Sequence, residues 1–167
     1  LRTRGPLDYE SGVIAYTLQI LASDGGQTPL TTTCTVHINV TDVNDNSPIF
    51  NATSYAATIP EGTPNNVTLT TALATDADSG LNGVVRYALT DPSQLYAISA
   101  TAGVITTVGT PTNFCDLERT REYVVTVIAS DVGAPGQPSR TTTTRLVVTI
   151  TDVNDLPPLF SAATISS

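Results

Sequence analysis

A ten-residue segment occurs twice in this chain and constrains its fold more than any other feature. The segment is TDVNDNSPIF from Thr41 to Phe50 and TDVNDLPPLF from Thr151 to Phe160, so the two copies lie 110 residues apart. This spacing is too long for the unit of a solenoid and matches the length of one small domain. The sequence therefore predicts a tandem array of domains, each of which ends in this segment.

Two strand-like runs precede the first copy of the segment. Tyr16–Ala22 and Cys34–Thr41 alternate apolar and polar residues, as half-buried β-strands do. In the second run, Val36 and Ile38 are expected to face inward. Because two strands alone cannot build a stable sandwich, we expect residues 1–46 to be the C-terminal part of a domain.

The residues between the two copies carry further strand-like runs and show no helical period. Gly, Pro, Asn and Asp separate the runs, which is typical of an all-β domain. This pattern predicts a seven-stranded Greek-key β-sandwich, immunoglobulin-like and repeated in tandem. Residues 47–156 would form one complete repeat, and residues 157–167 would begin a further repeat. The runs are Tyr55–Ile59, Val67–Ala74, Val84–Leu89, Tyr96–Ser99, Val104–Val108, Tyr123–Ser130 and Thr142–Thr151.

The charge balance and composition exclude several classes of function. The chain has seven basic residues against fifteen acidic ones, which argues against nucleic acid as a partner. It has one His and no Lys, and no nucleophile is paired with a base, so we do not expect an enzyme. No apolar run is long enough to span a bilayer, and no charged start followed by an apolar stretch indicates a signal peptide.

The two cysteines, Cys34 and Cys115, fall in different copies of the repeat. A disulfide within one domain is therefore not expected, and each cysteine is predicted to be a small, half-buried residue. Their number does not decide between an oxidising and a reducing compartment.

The acidic residues gather at the ends of the strand-like runs. If the chain crosses the domain with every strand, the acids fall into two groups at opposite ends of the sandwich. Two like charges about 4 Å apart repel by roughly 1 kcal/mol in water and by about 4 kcal/mol at an effective dielectric constant of about 20. Calcium, which takes about 6–8 oxygen ligands, reverses this repulsion, so the pattern predicts calcium sites. One end gathers Glu61, Asp116, Glu118, Asp152 and Asp155, and the other gathers Asp76, Asp78 and Asp131, which adjoin Asp8, Glu10, Asp42 and Asp45 of the preceding domain.

Several short motifs, in order along the chain, are those of one known family. The chain resembles the extracellular cadherin repeats, and the resemblance covers essentially its whole length. The chain departs from the family pattern in two places. CDLE at Cys115–Glu118 lacks the first Leu and the Arg of the LDRE motif, and Leu156 stands where Asn is usual. The matching motifs are LDYE at Leu7–Glu10, ASD at Ala22–Asp24 and Ala129–Asp131, DVNDNSPIF at Asp42–Phe50, PEG around Glu61, and DADSGLN at Asp76–Asn82.

The resemblance implies calcium ligands at two junctions between repeats. At the first junction, the upper two ions would be bound by Asp8, Glu10, Asp42 and Asp45, with the Val43 carbonyl and Asp78. A third ion there would be bound by Asn44, Asp76, Asp78, Asp131 and the carbonyl groups of Asn46 and Asn82. At the second junction, the upper-ion ligands would be Glu61, Asp116, Glu118, Asp152, Asp155 and the Val153 carbonyl, and Asn154 would serve a third ion. Asp24 would serve a junction farther upstream.

The resemblance also implies a function on the extracellular side of the plasma membrane. One possibility is calcium-dependent cell–cell adhesion, with other cadherin ectodomains as partners and a membrane attachment outside these residues. The alternative is a structural spacer or signalling-receptor ectodomain, which would use the same calcium-stiffened rod without homophilic binding. The sequence does not separate these two classes.

Three asparagines begin N-x-Thr sequons, the acceptor pattern of N-glycosylation in secreted proteins. They are Asn39, Asn51 and Asn66. Asn39 is the best placed of the three because the alternation puts it at an outward strand position. In a chain so rich in Thr, some sequons also arise by chance.

Overall fold

The structure, a computed structural model, describes residues 2–108 and 121–154. Within these ranges all regular secondary structure is β-strand, and no helix capable of crossing a membrane is found. The chain divides into two compact units. Unit 1 comprises the described residues of Leu1–Ile49, Ala74–Arg86 and Ala129–Thr142, and unit 2 those of Phe50–Leu73, Tyr87–Ile128 and Thr143–Ser167. The strands are β1 (Ala15–Ser23), β2 (Thr31–Asn39), β3 (Ile49–Phe50), β4 (Ser54–Pro60), β5 (Thr68–Thr71), β6 (Ala74–Thr75), β7 (Val85–Thr90), β8 (Tyr96–Ile98), β9 (Val104–Thr107), β10 (Arg121–Asp131) and β11 (Thr141–Thr151).

Strands β1 and β2 form an antiparallel hairpin that places the predicted apolar residues on one face. Leu18 lies opposite Val36, and Ile20 lies opposite Cys34. Val36 is half-buried as predicted, but the prediction of half-burial is wrong for β1 and for Cys34. Leu18 is 36% exposed and Cys34 is exposed, because among the described residues β1 and β2 form a two-stranded sheet of their own. Cys115 lies outside the described residues.

Two sheets form the sandwich that the sequence predicts. One has the strand order β4-β11-β10-β7 and the other the order β5-β9-β8. Neighbours such as β4 and β11, or β10 and β7, are far apart in sequence, which is the crossover pattern of a Greek key. β4 and β11 pair in parallel, whereas β9 pairs antiparallel with both β5 and β8. The predicted all-β sandwich is therefore confirmed.

The core of unit 2 draws side chains from both sheets. In β10 the odd-numbered residues from Val125 to Asp131 are buried, and in β11 the even-numbered residues from Leu146 to Ile150 are buried. Strict alternation of this kind follows from the pleat, which turns successive side chains to opposite faces. The buried apolar cluster consists of Ile59, Ala72, Leu95, Tyr96, Ile105, Val125, Val127, Leu146, Val148 and Ile150.

One predicted run is interrupted in the structure. Val67–Ala74 is not a single strand, because β5 ends at Thr71 and pairs with β9, whereas β6 begins at Ala74 and pairs with β3. Between them, the buried Ala72 donates its N–H to the Gly103 carbonyl at 2.9 Å. The change of partner strand at this point separates the two strands, and no periodicity in the sequence signals it.

Two neighbouring valines of β10 give a direct test of the core. Val125 is 0% exposed and Val124 is 61% exposed. Val125→Ala is expected to lower the free energy of unfolding by about 2 kcal/mol, because it removes buried methyl groups and leaves a cavity. Val124→Ala loses the same β-branched side chain and should change stability far less. Urea unfolding in saturating calcium measures both, and equal losses would contradict the assigned core.

Candidate metal centre

The segment DADSGLN forms a tight loop after β6 that carries three of the predicted ligands. The Asp78 N–H donates to Asp76 Oδ1 at 3.0 Å, and the Asn82 N–H donates to the Ser79 carbonyl at 3.2 Å. Short polar side chains form such local hydrogen bonds readily, which favours a turn over a strand. A Cβ atom at Gly83 would lie 2.0 Å from the Asp78 carbonyl oxygen. The loop therefore needs glycine at this position to bring Asp78 to the site.

Three carboxylates of unit 1 meet at one point. One carboxylate oxygen from each of Glu10, Asp42 and Asp78 lies within 4.8 Å of the other two. Asp78 is buried, Asp42 is half-buried and Glu10 is exposed. At this separation the ionised groups repel one another, and the repulsion grows as water is excluded.

Hydrogen bonds hold the linker, residues 42–46, against the ligand loop. The backbone N–H and side-chain Nδ2 of Asn46 both donate to the Asp78 carboxylate, the latter at 2.7 Å. Asn82 Nδ2 donates to Asp42 Oδ2 at 2.8 Å, and Asn82 Oδ1 accepts from the Ala134 N–H at 2.7 Å. The structure thus brings both motifs together through contacts among the predicted ligands themselves.

Three buried oxygen atoms of this cluster have no hydrogen-bond donor. They are Asp42 Oδ1, Asn44 Oδ1 and Asp76 Oδ2. A buried oxygen without a partner costs roughly 1–3 kcal/mol, and more if it is charged, so such atoms are rare in folded proteins. Carboxylate and amide oxygens are the ligands that calcium prefers. The residues present therefore fit the metal that the sequence predicts.

Asn44 shows how the site orients a neutral ligand. Its Nδ2 donates to Asp131 Oδ1 at 2.9 Å and to the Pro138 carbonyl at 2.8 Å. Only the NH₂ group of an amide can donate to two acceptors. The orientation of the side chain is therefore fixed, and the Asn44 Oδ1 atom is left for a cation.

Two carboxylates of the cluster have raised pKa values. Reduced hydration raises the pKa of Glu10 above its ordinary value, and contact with Asp42 and the negative charge of Asp45 raise it further. For Asp76, burial again raises the pKa first, and the charges of Asp78 and Asp131 add to the effect. Desolvation and the neighbouring carboxylates both disfavour the ionised form, and desolvation is the larger cause in each case.

The remaining predicted ligands of the first junction lie at the edge of this cluster. Asp8 is exposed, and its Oδ1 atom accepts the N–H groups of Glu10 and Ser11 at 3.0 and 3.2 Å. Asp45 Oδ1 accepts from Asn46 Nδ2 at 2.9 Å. The Val43 carbonyl accepts the Asp45 N–H at 2.8 Å. Asp8 therefore stabilises a local turn, whereas Asp42, Asp76 and Asp78 carry the buried contacts.

The acids predicted for the second junction are partly visible. In unit 2, Glu61 is buried and its Oε1 atom accepts the Val153 N–H at 2.6 Å. The Glu61 N–H donates to the Thr151 carbonyl at 2.9 Å. Asp152 and Asn154 follow at exposed positions. Asp116, Glu118 and Asp155 lie outside the described residues.

The three sequon asparagines, Asn39, Asn51 and Asn66, are all exposed. Asn39 ends β2, and Asn66 adopts a positive φ of 63° in the turn before β5. Asn51 Oδ1 accepts from the Tyr55 hydroxyl at 2.6 Å, which leaves its Nδ2 atom available. Glycosylation at these positions stays a prediction.

Two residues that contact the linker were not foreseen from the sequence. Gln137 and Arg140 lie between β10 and β11, and both form hydrogen bonds to the backbone of the linker. Neither belongs to a motif, and a long polar side chain in a loop is most often solvated. Their position after the ASD motif that ends at Asp131 was the one available indication that they lie near the site.

Comparisons with known proteins agree with this fold. The family model described as Cadherin domain matches residues 55–151. Cadherin-23 of Mus musculus is 40% identical over 148 residues, which cover 86% of this chain and 4% of that protein. Protocadherin Fat 4 of Mus musculus is 39% identical over 168 residues, covering 99% of this chain and 3% of that protein. The crystal structure of mouse Cadherin-23 EC22-24 matches with a TM-score of 0.81 and 32% identity, over 93% of this chain and 48% of that chain.

These relatives define the class of protein. The chain spans only a few per cent of the length of the curated relatives. The solved structures that it matches include extracellular cadherin domains of protocadherin gamma B2, at 28% identity over 96% of this chain. The match to the family model and the likeness to the solved repeats show that this chain belongs to the cadherin family.

Proposed function

We propose that this chain is a calcium-rigidified segment of a tandem ectodomain that works in calcium-dependent cell–cell adhesion. The observation that carries the proposal is the group of buried, unpartnered oxygens at Asp42, Asn44 and Asp76, beside the carboxylates of Glu10 and Asp78. The partners would be other cadherin ectodomains, bound homophilically or heterophilically. The setting would be the extracellular side of the plasma membrane.

We propose the domain organisation that the repeats indicate. Residues 1–46 would close one repeat, residues 47–156 would form a complete repeat, and residues 157–167 would begin a further one. The ligands would be those named above for the two junctions. Calcium would supply a charge that offsets the repulsion among the carboxylates, while the protein's own part is to hold the oxygens together in a partly buried site.

Adhesion itself is tested with the complete ectodomain that contains this segment. Beads coated with the ectodomain are expected to aggregate in calcium and to disperse in EDTA. A mixed population of beads, coated with this ectodomain or with that of a relative, separates homophilic from heterophilic binding. Aggregation that is absent in calcium, in an ectodomain that binds calcium, would contradict adhesion and favour the spacer alternative.

The ligand assignment predicts unequal effects for two aspartates. Asp76→Ala is expected to abolish binding of the third ion at the first junction, because it removes a buried oxygen without a donor. Asp8→Ala should change binding at this third-ion site little, because Asp8 is not among the ligands assigned to it and its carboxylate accepts N–H groups of its own turn. Calorimetric titration measures both, with Glu122→Gln as a control that removes one exposed charge from β10. Equal losses from Asp76→Ala and Asp8→Ala would show the assignment to be wrong.

The raised pKa values predict opposite pH dependences with and without calcium. In calcium-free buffer, folding favours the protonated forms of Glu10 and Asp76, whose ordinary pKa values are 4.5 and 3.8. Their contribution to stability is complete below these values and is lost as the pH rises through the raised, folded-state pKa values. With calcium bound, acid should instead destabilise the protein, because protons compete with the ion.

Thermal melts test this reversal. They are recorded between about pH 4 and pH 7, a range that brackets these carboxyl groups. The variant Asp76→Asn is the matched control, because it removes one of the two titrating groups. Its stability in calcium-free buffer should depend less on pH than that of the wild type. The same slope with and without calcium would contradict the prediction.

A further inference from the structure

The loop of residues 132–140, between β10 and β11, holds the linker with side chains outside the proposed ligand set. Gln137 Oε1 accepts the backbone N–H of Asn44, and Gln137 Nε2 donates to the Asp42 carbonyl at 3.5 Å. Arg140 Nε donates to the Asn44 carbonyl at 2.9 Å. Both backbone polar groups of Asn44 are therefore bonded to this loop.

The side chain of Asn44 is held in the same way. Its Nδ2 atom donates to Asp131 and to the Pro138 carbonyl, which is also part of the loop. Every polar atom of Asn44 except Oδ1 is thus hydrogen-bonded, and Oδ1 is buried without a donor. These hydrogen bonds define one orientation of the Asn44 side chain, in which Oδ1 is the oxygen left to a ligand.

The loop is closed by its own hydrogen bonds. The Asp131 N–H donates to the Arg140 carbonyl at 3.1 Å, and the Arg140 N–H donates to Asp131 Oδ2 at 3.0 Å. Ser139 Oγ donates to the Asp131 carbonyl at 2.7 Å. Gln137 and Arg140 therefore contact the linker from a loop whose own conformation is fixed by hydrogen bonds.

The first copy of the repeat supplies an internal comparison. Its β1–β2 loop closes with the same two contacts, since the Asp24 N–H donates to the Leu30 carbonyl at 3.1 Å and the Leu30 N–H donates to Asp24 Oδ1 at 3.0 Å. Leu30 thus occupies the place of Arg140. Loop closure needs only the backbone at this position, so the guanidinium of Arg140 is available for a different role.

We propose that Gln137 and Arg140 are positioning residues, which hold the linker at Asn44 in its calcium-binding conformation before the ion arrives. The inference rests on the proposed function, because it concerns the same calcium site. Fixing a site in its bound conformation reduces the entropy lost on binding and so raises affinity.

The positive charge of Arg140 allows a positioning role to be distinguished from a purely electrostatic one. A cationic guanidinium near a cation site repels the ion. If Arg140 acted through its charge alone, its removal would strengthen calcium binding. If it positions Asn44, its removal must weaken calcium binding despite the relief of repulsion.

The test uses the full chain with Gln137→Ala and Arg140→Leu, the latter being the residue that the first copy carries in this place. Calcium titration is expected to show affinity reduced about 10- to 100-fold in each, as for other residues that orient metal ligands. Arg145→Leu, which removes the same charge from β11, is the control and should not weaken binding. Amide hydrogen exchange in EDTA supplies a second measurement. The Asn44 N–H should be protected in the wild type and lose this protection in Gln137→Ala. The amides of Val125 and Val127 should stay protected in both.

Each outcome decides between the alternatives. Loss of both affinity and Asn44 protection supports the positioning role. Tighter calcium binding in Arg140→Leu, or an Asn44 amide that exchanges freely in wild type without calcium, overturns it even if calcium binds. A wild-type chain that takes up no calcium overturns the proposed function, and with it any role of these residues toward the ion, whatever the exchange experiment shows.

Discussion

Calcium at about a hundredfold excess over its dissociation constant is expected to raise the free energy of unfolding by about 2.7 kcal/mol for each site that only the native state provides. The physical reason is the approach of Glu10, Asp42 and Asp78 to within 4.8 Å of one another, which is unfavourable without a counter-ion. The unfolded chain separates these groups and loses the site. Differential scanning calorimetry in calcium and in EDTA should therefore give clearly separated melting temperatures.

Two controls make this comparison specific. Magnesium at the same concentration should shift the melting temperature less, because it prefers fewer protein ligands and stricter octahedral geometry. The variant Asp76→Asn, which weakens the site while keeping the side-chain size, should respond less to calcium. Melting curves that superimpose in calcium and EDTA would refute the calcium assignment.

Gly83→Ala is expected to weaken calcium binding strongly, although it adds only one methyl group and removes no ligand atom. The added Cβ would lie 2.0 Å from the Asp78 carbonyl oxygen, a distance that only a shift of the backbone can relieve. Overpacking of this kind costs about 1–3 kcal/mol and occasionally more, and here it displaces the loop that carries Asp76 and Asp78. Calorimetric titration should show calcium affinity reduced by more than about tenfold, in line with other changes next to metal ligands.

Gly80→Ala is the matched control in the same loop. Gly80 has a φ of +59°, but a Cβ there meets no atom within 4 Å. Its substitution costs roughly 1–2 kcal/mol of backbone strain, with no collision near the ligands. Gly83→Ala should therefore exceed Gly80→Ala in its effect on calcium affinity. If the two variants bind calcium equally well, the close approach at Gly83 does not position the site.

Much of the fold was predictable from alternation, because burial on one face of a strand imposes a period of two. Strands β10 and β11 show this directly, with a buried residue at every second position from Val125 and from Leu146 onward. Alternation identifies the apolar face of a strand but does not reveal whether another layer covers it. For this reason the half-burial predicted for Leu18 and Cys34 is wrong. The predicted face is nevertheless correct, because Leu18 pairs with Val36 and Ile20 pairs with Cys34.

The candidate site was predictable to the extent that its chemistry lies in side chains. Asp, Asn and Glu at turns mark the places where hard oxygens gather, and antiparallel strands decide which turns meet. Asn82 and Asp42 are 40 positions apart and are joined by a hydrogen bond of 2.8 Å. The sequence could not specify which atoms accept and which stay free. That choice depends on the orientation of the Asn44 amide and the Asp78 carboxylate in three dimensions.

Gln137 and Arg140 escaped prediction for a different reason. They bond to backbone groups of the linker, and a backbone N–H or carbonyl is present at nearly every residue. No particular side chain or spacing is required for such a contact, so no pattern marks it. The fold alone brings this loop to Asn44.

The parallel pairing of β4 with β11 has a mechanical consequence. The two strands lie in register from Ser54 opposite Arg145 to Pro60 opposite Thr151. The chain enters β4 at one end of this paired region and leaves β11 at the other. Tension along the chain therefore pulls the strands past each other and loads their hydrogen bonds together in shear, instead of peeling them apart one at a time. The β4–β11 pairing is accordingly suited to resist a pulling force applied at the two ends of this paired region.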